Sequence, residues 1–371
     1  MFSFIFYFSL AFIVYTYLGY PLLLLLMQVT SSDRVKKADI LPSVTVFVSA
    51  YDEARHIEVK VANLLESDYP RDKLEIMVGS DGSTDETYRA IKRLAEEKSI
   101  RYTVSFQHLG KAAMLNKMAK DAKGDIYIFA DTRQRFARDA IRNLVRSFAD
   151  GDVGAVSGDL ILGGDLRRLG FSWFYERWLR RLESNIGSIL EAADGIYAVR
   201  KEFFHYLPDV VLEDAYTLMN AVVVGKRVVF EPAAKAYGMA VEMVPQEFIR
   251  KVGVFAGQLQ IFALMPELLI PAKSKIAFQM ISHKLLRLIV PYFLPVLFFS
   301  NAFLLRRGPF FSAFFAFQAV FYFLAFLETG SKRGAGVLSG PYEFCVSHWA
   351  AVVAFMKFRR GEANVALEKR P

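Results

Sequence analysis

Three stretches of this chain carry no charged side chain: residues 2–27, Leu288 to Leu305 and Pro309 to Leu327. Each approaches the roughly 20 residues needed to cross a hydrocarbon core, so part of the chain must face lipid. With 54% hydrophobic and 15% aromatic residues over 371 positions, the apolar content exceeds what one soluble domain takes up. The formal charge of +8 does not point to nucleic acid, because the basic residues crowd where apolar runs end, at Arg34, Lys36, Lys37, Lys332, Arg333, Lys357, Arg359 and Arg360. That is the positive-inside distribution, and no zinc spacing or aromatic RNA-binding signature accompanies it.

The first run has no basic leader and no small-residue cleavage site, so it reads as an uncleaved anchor over residues 1–30 with its start outside the cell. Residues 40–245 then form a cytosolic α/β domain, 246–283 amphipathic interfacial helices, and 284–328 two membrane-spanning helices. The stretch at 340–358 is short and holds Glu343 and His348, which fits an interfacial or re-entrant helix, and 359–371 is a basic cytosolic tail. The expected protein is integral to the plasma (inner) membrane, with the bilayer as its first partner. A single cysteine, Cys345, excludes an intrachain disulfide and any cysteine-rich metal site; packing explains it.

Within the middle domain, Ser43 to Ser49 alternates valines with small or aromatic residues as a buried strand does. Ile57, Val61, Leu64 and Leu65 fall on one face of a following helix, and Leu74 to Gly79 is the next strand. Ser83 with Glu86 has the spacing of a capping box ahead of a helix that turns Tyr88, Ile91, Leu94 and Ala95 inward. Further strands are expected at 101–106, 125–130 and 153–158. This alternation predicts a mainly parallel α/β sheet, which binds ligands at the carboxyl ends of its strands. Residues 165–192 read as an amphipathic helix packed on the sheet or lying on the membrane surface.

The acids fall where such a sheet presents that edge. Asp52 and Glu53 follow the first strand, Asp81 ends the second, Asp131 follows the fourth, and Glu213 and Asp214 lie farther on. One carboxylate at such a place is as readily a helix cap; the set of them is not.

These residues resemble glycosyltransferase family 2, over about Ser43 to Gly257 and into the flanking apolar segments. The carrying motifs are Ala50-Tyr51-Asp52-Glu53, Asp81-Gly82-Ser83-Thr84-Asp85, Gly110-Lys111-Ala112 with Asn116, Asp131-Thr132-Arg133, Asp194-Gly195-Ile196-Tyr197-Ala198-Val199-Arg200 and Leu212-Glu213-Asp214. The resemblance implies a GT-A, Rossmann-like nucleotide-sugar-binding domain with flanking transmembrane helices, similar to the catalytic domains of cellulose and poly-N-acetylglucosamine synthases. It implies an inverting transfer of a hexosyl or N-acetylhexosaminyl group from a nucleotide-sugar, with uridine as the base. Tyr51, Asp52, Glu53, Asp81, Lys111, Asp131, Arg133 and Arg250 then contact the donor; Gly195, Glu213, Gln246 and Lys251 meet the acceptor; Asp214 is the base that takes the acceptor's proton.

Asp131 would hold Mg²⁺ or Mn²⁺. The family's second metal carboxylate is replaced by Arg133, which either contacts the diphosphate directly or is a surface arginine in a basic loop with Arg135 and Arg138. At the family's Gln-x-x-Arg-Trp motif this chain reads Gln246-Glu247-Phe248-Ile249-Arg250-Lys251, with lysine where tryptophan is expected, which puts processive synthesis in doubt. The acceptor is a lipid-linked or glycan molecule, and subunits of a polysaccharide export system fit the same setting. Two other readings stay open: a processive polysaccharide synthase, and an inactive membrane-anchored pseudoenzyme acting as an assembly subunit.

Overall fold

The computed structural model describes residues 1–30, 35–163, 171–193, 195–208, 212–239, 244–328 and 339–362. The chain divides into two compact units. One comprises Ser32–Gly164 and Glu183–Met239, the other Met1–Ser31, Asp165–Leu182 and Ala240–Pro371.

The first unit is built on eight strands: β1 (Val44–Ala50), β2 (Leu74–Asp81), β3 (Arg101–Ser105), β4 (Ile126–Ala130), β5 (Arg135–Phe136), β6 (Val153–Gly163), β7 (Ile196–Arg200) and β8 (Arg227–Met239). They form one sheet in the order β3-β2-β1-β4-β7-β6-β8-β5. The run Val-Thr-Val-Phe-Val in β1 is β-branched or aromatic throughout and buried on both faces, as a central strand flanked by parallel partners must be. Val44 stands opposite Leu74 on one side and Ile126 on the other. The helix Ala54–Leu65 covers the sheet with Ile57, Val61 and Leu64, all fully buried, and Thr87–Lys98 does so with Ile91 and Leu94.

The sheet is mainly parallel, as expected, with four of its seven strand pairings parallel, β6 with β8 among them, but antiparallel strands are set into it. Strands β1 to β4 pair in parallel, whereas β7 runs antiparallel to both β4 and β6, and β5 runs antiparallel to β8. Residues 196–200, which resembled a glycine-containing loop, are strand β7 from Ile196 onward. Strand β8 tolerates Pro232 because the β6–β8 register slips between Ser157 and Asp159; a proline cannot donate to a regular ladder and is accommodated at such irregularities. The expected capping box does not form. The helix begins at Thr87 without a side-chain cap, Asp85 Oδ1 accepts the Thr87 N–H at 2.9 Å, and the Ser83 hydroxyl accepts the backbone N–H of Asp52 instead.

The second unit is helical. Three of its helices, Phe2–Val29, Ala277–Ala302 and Pro309–Glu328, are long and apolar enough to cross a membrane. Phe6 is completely buried among Leu297, Leu304, Phe311 and Phe314, meeting the Phe314 ring edge-on at 5.6 Å. The helix Val244–Leu264 packs through Val252 and Ala256 on Ala350 and Ala354 of Ser339–Arg359, small residues that let two helices approach closely. The second span starts ahead of the uncharged run at Leu288, because His283, Lys284 and Arg287 lie inside its first turns. Ser339–Arg359 is one helix of 21 residues and is not among the three apolar spans. The amphipathic segment after β6 is the helix Phe171–Ile186. Its residues as far as Leu182 group with the apolar helices rather than with the sheet, and Tyr175 donates from its hydroxyl to the Tyr17 carbonyl at 2.7 Å.

Candidate active site

Because β1, β2 and β4 run in parallel, their carboxyl ends share one edge, and the chain leaves β1 for β2 on one side and β4 on the other. Such a switch point opens a crevice at that edge. Asp52 follows β1, Asp81 closes β2 and Asp131 follows β4. Ala130 pairs with Ile196, so the antiparallel β7 brings Gly195 to the same edge beside Asp131. A Cβ on Gly195, where φ is +74°, would meet the Gln134 side chain at 2.5 Å, so only glycine lets these two segments close up.

Asp81 is 2% exposed and organises the loop after β3. Its Oδ1 accepts the Leu109 N–H at 2.8 Å, its Oδ2 accepts the Gly110 N–H at 2.9 Å, and His108 Nδ1 stands 3.1 Å from Oδ2. Backbone N–H groups donating to a carboxylate make strong, short-range tethers. The Asp81 carboxylate thereby fixes the start of the helix Lys111–Ala119. Gly82, at φ +66°, leaves room for this loop: a Cβ there would lie 2.4 Å from His108 N. The His108 ring lies 4.2 Å from that of Tyr51, and both are nearly half exposed, an open aromatic face beside Asp81.

Lys111 is the first residue of its helix, the end where backbone N–H groups disfavour a cation. It is held there by carboxylates. Its side chain is nearly half exposed and its ammonium is paired with Glu213; against a desolvation that would lower it, Glu213, then Asp131, then Asp214 push its pKa above the ordinary lysine value. Glu213 and Asp214 are the first two residues of the helix Glu213–Val223, an end that favours acids. Their position is therefore locally ordinary, whereas that of Lys111 breaks a local rule, as residues at functional sites do. Asn116, one turn on, is bonded in both directions to Leu207, its amide donating at 2.7 Å and its carbonyl accepting at 2.8 Å.

The remaining acids have partners of their own. Asp52 adopts a positive φ of 52°, and its Oδ1 accepts the Thr84 N–H at 2.7 Å, so this carboxylate folds the 82–85 turn. Glu53 accepts from Arg133 Nε at 2.7 Å and faces His56 Nδ1 at 2.7 Å. Arg133 is largely exposed and is thus turned along the rim. Asp131 Oδ1 accepts the Arg133 N–H at 2.9 Å. Among the described residues no three His, Cys, Asp or Glu side chains cluster as a metal cage. Asp131 fits an ion shared with phosphate oxygens, the manner in which Mg²⁺ is bound through one or two carboxylates.

Of the remaining candidates, Arg250 and Lys251 belong to the helical unit. Arg250 makes a two-pronged pair with Glu247 at 2.8 and 2.9 Å, and Lys251 Nζ donates to Ser347 Oγ at 2.7 Å. The side chain of Gln246 and all of Asp194 lie outside the described residues.

One residue escaped the sequence reading, and a second was read only as part of a motif. Lys60 sits on a helix face that pattern alone assigns to the core; it is 1% exposed. Its Nζ donates to the Gln134 carbonyl at 2.9 Å and lies 3.8 Å from the Phe136 ring centroid, bracing the segment after Asp131. Burial lowers its pKa to about 7, against the opposing pull of Asp131. Tyr197 on β7 is also buried, and burial, with Glu213 and Asp214 adding to it, holds its phenol well above the ordinary value. Lys60 has no sequence signal apart from its helix, and Tyr197 none apart from the motif around Gly195.

The comparisons agree with this geometry. Residues 45–189 match the family model for Glycosyl transferase family 2. It is 35% identical over 119 residues to the glycosyltransferase AglD of Haloferax volcanii, covering 31% of this chain and 19% of that protein. It is 25% identical over 222 residues to a poly-β-1,6-N-acetyl-D-glucosamine synthase of Staphylococcus aureus, covering 56% of this chain and 53% of the synthase. The chain thus spans about half the length of the synthase and about a fifth of AglD. In fold it is similar to the mannosyltransferase PcManGT from Pyrobaculum calidifontis, solved with GDP-Man and Mn²⁺, with a TM-score of 0.73, 24% identity and coverage of 99% of this chain and 100% of that one. The fold is GT-A, with candidate membrane-spanning helices before and after it in the chain.

Two predictions follow from the tethers. Asp81→Asn removes a charged acceptor of two backbone N–H groups, each such bond being worth about 1.5–3 kcal/mol, so the affinity for nucleotide should fall ~10-fold or more by calorimetry; an unchanged affinity would contradict the assignment. Lys60 binds its proton more weakly folded than unfolded, so the unfolded chain carries more protons between about pH 7 and roughly 10.4, and its contribution to stability rises with pH across that window. Lys60→Met should therefore flatten the climb in melting temperature that wild type shows over it; parallel curves would refute the placement.

Proposed function

We propose that this protein is an inverting glycosyltransferase that moves a sugar from a nucleotide-sugar to a membrane-associated glycan or lipid-linked acceptor, with its α/β unit on the cytosolic face of the plasma (inner) membrane. The observation that carries this is the Lys111 ammonium set among Glu213, Asp131 and Asp214 at the carboxyl edge of the sheet. A sugar-diphosphate needs positive charge where its phosphates lie, and a hydroxyl acceptor needs a carboxylate where its proton leaves. The site offers both.

In this reading the open Tyr51 and His108 face takes the nucleobase, beside Asp81. Asp214 accepts the proton of the acceptor hydroxyl as its oxygen bonds to the anomeric carbon from the side opposite the diphosphate. The bond between that carbon and the phosphate oxygen breaks, and the electron pair leaves with the diphosphate. Lys111 and Arg133 oppose the charge that develops there. Glu213, Gly195, Gln246 and Lys251 serve the acceptor, and Arg250 the diphosphate. A Mg²⁺ or Mn²⁺ ion held by Asp131 together with phosphate oxygens supplies further countercharge when bound.

Uridine is the base carried over from the sequence resemblance, and guanosine is the rival that the solved mannosyltransferase brings in. Thermal shift of the purified full chain with UDP- and GDP-sugars, with and without Mn²⁺, separates them by which nucleotide raises the melting temperature. Asp214→Asn should keep that shift and lose about 10²- to 10⁴-fold in transfer rate. Full transfer by that variant would remove the base assignment, and a chain stabilised by neither nucleotide would remove the donor reading.

A further inference from the structure

Strand β5 is two residues long and lies at the end of the sheet, beside β8. Arg135 pairs with Tyr237, and the Ala137 N–H donates to the Lys235 carbonyl at 2.9 Å. The residue between them, Phe136, therefore turns its own N–H and C=O away from β8, as alternate residues of an antiparallel edge do. On an open edge those groups are left to water. Here Phe136 is 4% exposed, and the side-chain amide of Asn63 meets both groups: its Oδ1 accepts the Phe136 N–H at 2.7 Å and its Nδ2 donates to the Phe136 carbonyl at 2.9 Å. Asn63, on the helix Ala54–Leu65, stands in for a further strand.

The same helix grips the rest of the segment. Glu53 at its head accepts from Arg133 Nε at 2.7 Å, and Lys60, one turn before Asn63, donates to the Gln134 carbonyl at 2.9 Å. Just past its end the Asp68 N–H donates to the Arg138 carbonyl at 2.7 Å. Positions 133, 134, 136 and 138 are thus pinned in order along one rigid element. A buried asparagine and a buried lysine on the core face of a helix cost more than leucine and methionine would, because each must find its hydrogen bonds there. Packing does not require them; a short edge strand that lacks a partner does. The backbone they hold continues directly from Asp131 and Arg133.

We propose that Asn63, together with Lys60, is a positioning residue for the donor's diphosphate: it holds the 133–136 backbone in the register that presents Asp131 and Arg133 at the carboxyl edge of the sheet. The inference rests on the transferase reading, in which those two residues serve the diphosphate while Tyr51 and His108 take the base. Asn63 acts through the strand and not by touching the ligand, as the supporting residues of a preorganised site do. Its loss therefore strikes the diphosphate end of the donor and spares the nucleoside end.

The test is calorimetric titration of the full chain in detergent, with Mn²⁺ present, against UDP and UMP and against GDP and GMP, comparing variants on the pair that wild type binds. Asn63→Leu keeps the side chain's size and removes both bonds to Phe136. Lys60→Met keeps its length and removes the bond to Gln134, and it decides the matter should Asn63→Leu not fold. Each should weaken the diphosphate about tenfold, the loss of roughly one charged hydrogen bond, and the monophosphate by less than about twofold. Asn143→Leu controls for simple destabilisation: that amide is equally buried and donates to Asp139 Oδ2 at 3.0 Å and the Ala233 carbonyl at 3.1 Å, and its loss should weaken neither nucleotide selectively. Equal losses of diphosphate and monophosphate in the Asn63 and Lys60 variants, or no loss at all, would overturn the positioning role and leave the donor reading intact. A wild-type chain that binds none of the four nucleotides would refute the donor reading itself, and this role with it.

Discussion

The ammonium of Lys111 is what makes one site out of separated stretches of chain. It heads a helix whose dipole opposes it, and it stays there because Glu213 pairs with it and Asp131 and Asp214 lie close enough to raise its pKa. Asp81 secures the approach to that lysine by gripping the two preceding backbone N–H groups. Remove either set of contacts and the carboxylates at the end of β4 and at the head of the helix Glu213–Val223 have nothing in common. The fold supplies the edge; in the proposed function the lysine and its acids turn that edge into a place for an anionic donor.

The division of labour among the acids is uneven. Asp52 and Asp85 are consumed in shaping the turn after β2, and Glu53 anchors Arg133 and His56. Asp131 keeps a simple local environment, tethered by the Arg133 N–H of its own loop. Buried Lys60 and Tyr197 act from beneath, one bracing the segment after Asp131 and the other lying under Glu213 and Asp214. A site of this kind is stiff in its loops and open at its rim, as binding to a flexible, highly charged ligand requires.

Much of this was legible in the residues because the signals were local. Strands β1, β2 and β4 announce themselves by β-branched runs, and an acid after each of them marks the ligand edge before any coordinates are known. Strand β8 was not legible, since Pro232 hides a strand that survives only through a register slip opposite Ser157 and Asp159. Strand β7 was hidden by its glycine, which serves the close approach of Gln134 rather than a turn alone. Charge masked the start of the second span: His283, Lys284 and Arg287 look like the end of a soluble segment until Glu176, more than a hundred positions away, is seen to meet two of them. The pairing of Lys111 with Glu213 is equally nonlocal, and no spacing rule reaches across it.

The central claim is that Lys111 and the acid pair at 213 and 214 act on each other within one site. A double-mutant cycle on thermal stability, with Lys111→Met, Glu213→Gln and the double variant, measures that coupling directly. Residues in one ion-pair network couple by about 0.5–3 kcal/mol, and a value in that range is the expected result. Strictly additive effects of the two substitutions would show that the lysine and the acid are strangers, and the account would fail with them.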